Sequence, residues 1–166
     1  EEYKTLHRLR HEGFACSQKM TLEDSLAKKF FLYQANDFAM SLYFSLERVY
    51  KPCLNHVDNH LTPLSQRQKE IILDIASAMR DAIEDSARMI LESDYADFEA
   101  LQNRIRSLGA KIVNARKTAM QKREPENQTV ASVNLLFLTV LYECRAILDS
   151  TAYLNKSSKK LMTDFV

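Results

Sequence analysis

Apolar residues recur every three or four positions along most of this chain, which is the spacing of one face of an α-helix. Groups of turn residues interrupt the pattern, as at Thr62-Pro63 and Glu124-Pro125. The pattern predicts five helices: 1–17, 22–59, one that follows the N-cap Ser65, one that follows a break at 93–97, and 129–156. We therefore expect an all-α, antiparallel bundle of about five helices that forms a single domain over residues 1–166.

The apolar stripes predict which residues form the core. On the three C-terminal helices the stripes are Ile72, Ile75, Met79, Ala82, Ser86, Ile90; Phe98, Leu101, Ile105, Leu108, Ile112, Ala115, Ala119; and Val133, Phe137, Val140, Cys144, Ile147, Thr151, Leu154. The last stripe is widened by Leu136, Leu141 and Leu148, which indicates a helix in the middle of the bundle. The tail at 156–160 is expected to fray, although Leu161, Met162, Phe165 and Val166 could extend an amphipathic helix.

The long second helix has a stripe of its own, rich in aromatic residues, and we expect that stripe to lie in the core. It consists of Leu26, Phe30, Tyr33, Phe38, Leu42, Leu46 and Val49. Pro52 lies inside this helix and lacks a backbone N–H, so a kink or break is expected near Arg48 to Lys51. We expect the helix to continue beyond Pro52 to about Asn59.

Charge argues for pairing between helices and against nucleic acid. The formal net charge is only +1, so no basic field would attract a polyanion. Locally, residues 65–93 carry four basic and six acidic side chains, whereas 95–123 carry seven basic and two acidic ones. Neighbouring helices of opposite sign favour antiparallel packing.

Cysteine content and hydropathy bear on the compartment. Three cysteines form no CxxC pair and leave one odd thiol, which favours the reducing cytosol. No apolar run reaches the twenty residues that a membrane-spanning helix needs. The chain also begins Glu1-Glu2 without methionine, which suggests that it continues a longer polypeptide.

Catalytic motifs are missing from the sequence. It contains no GxSxG, no glycine-rich phosphate loop, and no Cys/His pair in a setting that would activate a thiolate. We therefore expect that the chain is not an enzyme.

Potential metal ligands follow the apolar stripe of the second predicted helix. They are Cys53, His56, Asp58 and His60, whose side chains all belong to types that bind transition metals. His56 and His60 are four residues apart and share a helix face, but on a continuous helix Asp58 projects away from them. Packing at the helix end is therefore favoured over a metal site, and no cofactor is expected.

Several segments resemble the PhoU-like domain at the C-terminus of bacterial sodium/phosphate cotransporters. They are Ser45-Leu46-Glu47-Arg48-Val49-Tyr50-Lys51-Pro52-Cys53-Leu54-Asn55-His56-Val57-Asp58-Asn59-His60, Asp94-Tyr95-Ala96-Asp97, Leu135-Leu136-Phe137-Leu138 and Tyr142-Glu143-Cys144-Arg145. The His-Val-Asp-Asn piece is the most specific part, and the likeness covers the chain from about residue 22 onward. It implies three-helix repeats, of which this chain would supply the last two helices of one and all three of the next.

The resemblance also implies positions for acidic E/DxxxD motifs, which bind metal clusters in PhoU proteins. Here Glu47 is followed four residues later by Lys51, and Asp149 is preceded by Arg145. In the fourth predicted helix Gln102 and Arg106 stand where acids would be expected. Replacing a carboxylate by a cationic side chain removes an oxygen ligand and places a positive charge beside the metal. We therefore do not expect this chain to bind the metal clusters that PhoU proteins bind.

The resemblance implies a cytoplasmic regulatory or assembly domain of a sodium-dependent phosphate transporter, at the inner face of the plasma membrane. Its partners would be the transmembrane transport domain of the same polypeptide and, in a homodimer, a second copy. One alternative is a free-standing PhoU-like metal-binding regulator of phosphate uptake or signalling. Another is an unrelated helical scaffold that shares the bundle pattern by convergence.

Overall fold

A computed structural model describes residues 26–58, 64–121 and 128–163, together with Lys4, Thr5, Arg8 and His11. The three ranges contain four helices and no strand: α1 (Leu26–Asp58), α2 (Gln66–Glu92), α3 (Phe98–Gln121) and α4 (Gln128–Thr163). The prediction of an all-α chain is confirmed for these residues. The count differs from about five because the predicted helix 1–17 lies outside the described residues, apart from those four helical positions.

Local sequence explains where α2 begins and ends. Ser65 forms a capping box, in which its hydroxyl accepts from the backbone N–H of Gln68 while the Gln68 side chain accepts from the backbone N–H of Ser65. At the other end Ser93 adopts the left-handed conformation, with φ 55°, and its N–H bonds Ile90. The predicted N-cap and the predicted break at 93–97 are both confirmed.

Helix α4 lies at the centre of the bundle and contacts all three other helices. The core joins its apolar face to the predicted stripes of α2 and α3, around the fully buried Ile75, Ile112 and Leu141. The prediction that α4 occupies the middle is therefore confirmed. None of the helices in the described ranges is both long enough and apolar enough to cross a membrane.

Ion pairs between α2 and α3 match the opposite charges of these helices. Arg104 pairs with Asp85, and Lys111 pairs with Asp74. Because the partners run in opposite chain directions, the two helices are antiparallel, as the charge pattern predicted.

The structure corrects the prediction that the whole apolar stripe of α1 lies in the core. Phe38 and Leu42 pack against the core, but Leu26 is 83% exposed and Tyr33 is 63% exposed. Phe30 and Leu46 are also exposed. The physical reason is that, among the described helices, α1 contacts only α4.

Pro52 does not end α1, which continues without a break to Asp58. The prediction that the helix would continue beyond the proline is confirmed. The missing N–H at Pro52 removes only the hydrogen bond that the carbonyl of Arg48 would otherwise accept.

The predicted fraying after residue 156 is wrong. Helix α4 continues to Thr163, and Ser157 and Ser158 are buried. The hydroxyl groups of Ser158 and Tyr95 are hydrogen-bonded, and Lys159 lies 4.0 Å from the centre of the Phe98 ring. This packing against the turn after α2 and the start of α3 holds a segment whose composition alone resembles a flexible tail.

A glycine allows α3 and α4 to approach closely. Gly109 is buried in α3, and a Cβ atom there would overlap the guanidinium group of Arg145 on α4. Arg145 also pairs with Asp149, at 2.9 Å between Nη2 and Oδ1. The space that Gly109 leaves is thus filled by a charged side chain.

We predict that Gly109→Ala stabilises the protein more when Arg145 has been removed than when Arg145 is present. In an Arg145→Ala background the change should add about 0.5–1 kcal/mol to the free energy of unfolding, because alanine favours a helix over glycine. In the wild-type background the new methyl group displaces the guanidinium, so that the gain is reduced or lost. Urea unfolding of the four proteins in this double-mutant cycle measures the difference, and equal effects of Gly109→Ala in both backgrounds would contradict the contact.

Candidate functional site

Of the four predicted metal ligands, the structure describes the side chain of Cys53 alone. Cys53 is a half-buried free thiol on α1, and burial raises its pKa, which keeps it protonated at neutral pH. His56 and Asp58 belong to the last turn of α1, but their side chains lie outside the described residues, as does His60. The metal set therefore stays a prediction.

Elsewhere in the described residues, no three side chains of His, Cys, Asp or Glu are grouped so that they could hold a metal ion. Several charged groups of α1 and α4 form ion pairs instead. The most buried of these pairs joins the two helices.

Arg48 of α1 and Glu143 of α4 form a two-pronged ion pair. Arg48 Nε donates to Glu143 Oε1 at 2.6 Å, and Nη2 donates to Oε2 at 2.7 Å. The Glu143 side chain is only 4% exposed, whereas that of Arg48 is 52% exposed. This parallel geometry is the strongest that arginine makes with a carboxylate, and it fixes the rotation of α1 about its axis against α4.

The surroundings of Glu143 keep it ionised. Burial by itself raises the pKa of the carboxyl, but the two hydrogen bonds from Arg48 and the positive charge of its guanidinium outweigh that effect and lower the pKa below its ordinary value. The negative charge is therefore present at neutral pH, where it balances the guanidinium.

Two further pairs occupy the positions at which the resemblance implies acidic motifs. Lys51 Nζ lies 2.7 Å from Glu47 Oε1, and Arg145 binds Asp149 through both Nε and Nη2. Each carboxylate thus has a cation four residues away on its own helix. Gln102 of α3, at the third position where the resemblance implies an acid, is buried.

A cleft of about 640 Å³ lies between the end of α2 and the start of α3. Asp85 bonds both Arg88 and Arg104 there, and the hydrogen bond from Arg104 is the main cause of its lowered pKa. Further acidic residues line the cleft, including Asp94 and Asp97. Because Asp85 engages both arginines, the cleft does not present a free basic pair to an anion.

Sequence reasoning missed Glu143 and Asn155 as buried polar groups. Asn155 is fully buried, and its amide donates to Ser86 of α2 at 2.9 Å. Both residues lie at helical spacing from the apolar stripe of α4, Glu143 between Val140 and Ile147. A charged residue in a core register is the signal that could have identified Glu143.

We predict that Glu143→Gln lowers the free energy of unfolding by about 1–3 kcal/mol at neutral pH, the usual value of hydrogen bonds to a charged group. Because the pKa of Glu143 is lowered in the folded state, its stabilising effect is complete above the unfolded pKa of about 4.3. The effect is lost as the pH falls through the folded pKa. Urea unfolding across this acidic range should therefore show the two proteins converging.

Glu84→Gln is the matched control. Glu84 is 68% exposed and lies 3.9 Å from Arg80, so its loss should cost less than about 0.5 kcal/mol. Equal destabilisation by the two substitutions, or a wild-type advantage that grows on acidification, would contradict the assignment.

No family model matches this chain. No curated protein and no solved structure matches it either. The relation to the PhoU-like domains therefore stays a prediction based on the quoted segments, and the helices and ion pairs described above rest on the structure of this chain alone.

Proposed function

We propose that this chain is a regulatory and assembly domain of a sodium-dependent phosphate transporter, at the cytoplasmic face of the membrane. The domain acts through contacts between helices, not through catalysis. Phosphate and sodium are implied by the resemblance, and the all-helical architecture of the described residues agrees with it.

The main support for the proposal comes from two ion pairs. Each forms within one helix, at a position where the resemblance implies an acidic metal-binding motif. Glu47 with Lys51 and Arg145 with Asp149 are each neutral as a pair. A multivalent metal bound there would have to displace a tethered cation and would then lie beside it. This arrangement favours a regulator that works by docking over the free-standing metal-binding regulator.

The surface of α1 supports a docking role. Among the described residues, fourteen large apolar side chains are exposed, and seven of them belong to α1. These seven are Leu26, Phe30, Tyr33, Phe44, Leu46, Tyr50 and Leu54. Leu26, Phe30, Tyr33 and Phe44 share one face of α1 at helical spacing, and an exposed apolar face of this kind is typical of a surface that another element covers.

We predict that Phe30→Glu combined with Tyr33→Glu in the parent protein changes sodium-dependent phosphate uptake by about fivefold or more, the effect of losing a coupling free energy of about 1 kcal/mol. Uptake of radiolabelled phosphate into cells that lack other phosphate transporters is the measurement. The matched control is Leu73→Glu, because Leu73 is 69% exposed on α2, away from α1.

Two results would overturn the proposal. One is the finding that the parent reading frame encodes no hydrophobic membrane-spanning segments outside this domain. The other is a transporter whose sodium-dependent uptake is unchanged when residues 26–163 are deleted.

We further predict that the chain, purified without a histidine tag, contains no stoichiometric transition metal. Elemental analysis by mass spectrometry measures the content, and equilibration with zinc, nickel and iron salts before gel filtration tests for a site emptied during purification. Stoichiometric metal that is lost on His56→Ala would instead favour the free-standing metal-binding regulator.

A further inference from the structure

We propose that this chain forms a two-fold symmetric dimer in which the α1 helices of two copies pack antiparallel through Asp37, Ser41, Phe44 and Arg48. The inference goes beyond the proposed function and does not depend on it. It concerns the chain itself, whatever the parent protein transports.

The four residues share one face of α1. Their spacings are four, three and four, which keeps them within a narrow stripe along a helix. Asp37 and Phe44 are exposed, Ser41 is half-buried, and the Arg48 side chain is 52% exposed. The stripe is therefore accessible to a second molecule.

The order of these residues is self-complementary. When an identical helix is turned antiparallel about a point between Leu42 and Tyr43, Asp37 lies opposite Arg48 of the second copy. The small Ser41 then lies opposite the large Phe44 of the second copy. Two-fold symmetry repeats both contacts, so one stripe supplies two ion pairs at its ends and two packing contacts at its centre.

Arg48 is held in place for this role. Its Nε and Nη2 are bound to Glu143, which leaves the N–H groups on Nη1 for a second carboxylate. Asp37 forms no ion pair within the part of the chain that the structure describes. An acid and a pre-positioned arginine, three helical turns apart on one face, fit an isologous contact.

Residues on either side of the stripe add a further contact between the two copies. In this register Tyr33, which is 63% exposed, lies beside Lys51 of the second copy. A lysine close to an aromatic ring is a favourable contact. Tyr33 of each copy would therefore cover Lys51 of the other.

The charge of the stripe distinguishes a second copy from a lipid surface. The cytoplasmic leaflet is negatively charged, and a carboxylate within the contacting face would be repelled by it. Asp37 occupies such a position, between Tyr33 and Phe44. A second copy, by contrast, offers this carboxylate a guanidinium.

Sedimentation equilibrium of the chain tests the proposal across protein concentrations of about 1–100 µM, a range that covers ordinary dimer affinities. The wild-type chain is expected to dimerise. Asp37→Arg should raise the dissociation constant by at least about tenfold, because it places two arginine pairs in contact across the symmetric interface. Glu70→Arg, an equal change of charge on exposed α2 surface, should leave the constant unchanged.

Cross-linking tests the register independently. Packed helices are about 8–10 Å apart, so thiols in Ser41→Cys of two copies should be joined by a short bismaleimide. The wild-type chain and Leu73→Cys serve as controls for the native cysteines and for random collision. A monomeric wild-type chain at the highest concentration, or a dimer that Asp37→Arg does not weaken and Ser41→Cys does not trap, would overturn the proposal, whereas neither result depends on phosphate uptake.

Discussion

Helix α4 has to be buried on three sides, and the rest of the bundle depends on that requirement. Its broad apolar face, from Val133 to Leu154, cannot be covered by a single neighbour, so α1, α2 and α3 all pack against it. The hydrophobic effect thus determines that a bundle forms around α4. It does not determine how each neighbour is rotated, because apolar contacts have little direction.

Polar groups within the interfaces supply that direction. Arg48 and Glu143 join α1 to α4, and the Asn155 amide binds Ser86, whose hydroxyl in turn donates to the carbonyl of Ala82. Each bond forms in only one register of the helices, and a buried polar group without a partner would be costly. These few contacts therefore select one arrangement among those that the apolar stripes allow.

Helix α1 differs from the other three because, within the described part of the chain, it packs against a single helix. The glutamate of α4 holds Arg48 at the surface, beside exposed aromatic residues on the same helix. The same ion pair thus joins α1 to α4 and orders the Arg48 side chain at the surface of the bundle. This is the physical link between the fold and the proposed docking and dimer surfaces, since an arginine that is already ordered loses less entropy when it binds a further carboxylate.

Local and periodic signals in the sequence account for much of the fold. Helical spacing identified the core faces of α2, α3 and α4, Ser65 marked a helix start, and opposite charges predicted the pairing of α2 with α3, because these signals are local or periodic. Three features follow from the packing of the helices: most of the α1 stripe is exposed, residues 157 and 158 are buried, and Glu143 has a partner 95 positions away. Burial and long-range pairing depend on which helices become neighbours, and the periodicity of a single helix does not contain that information.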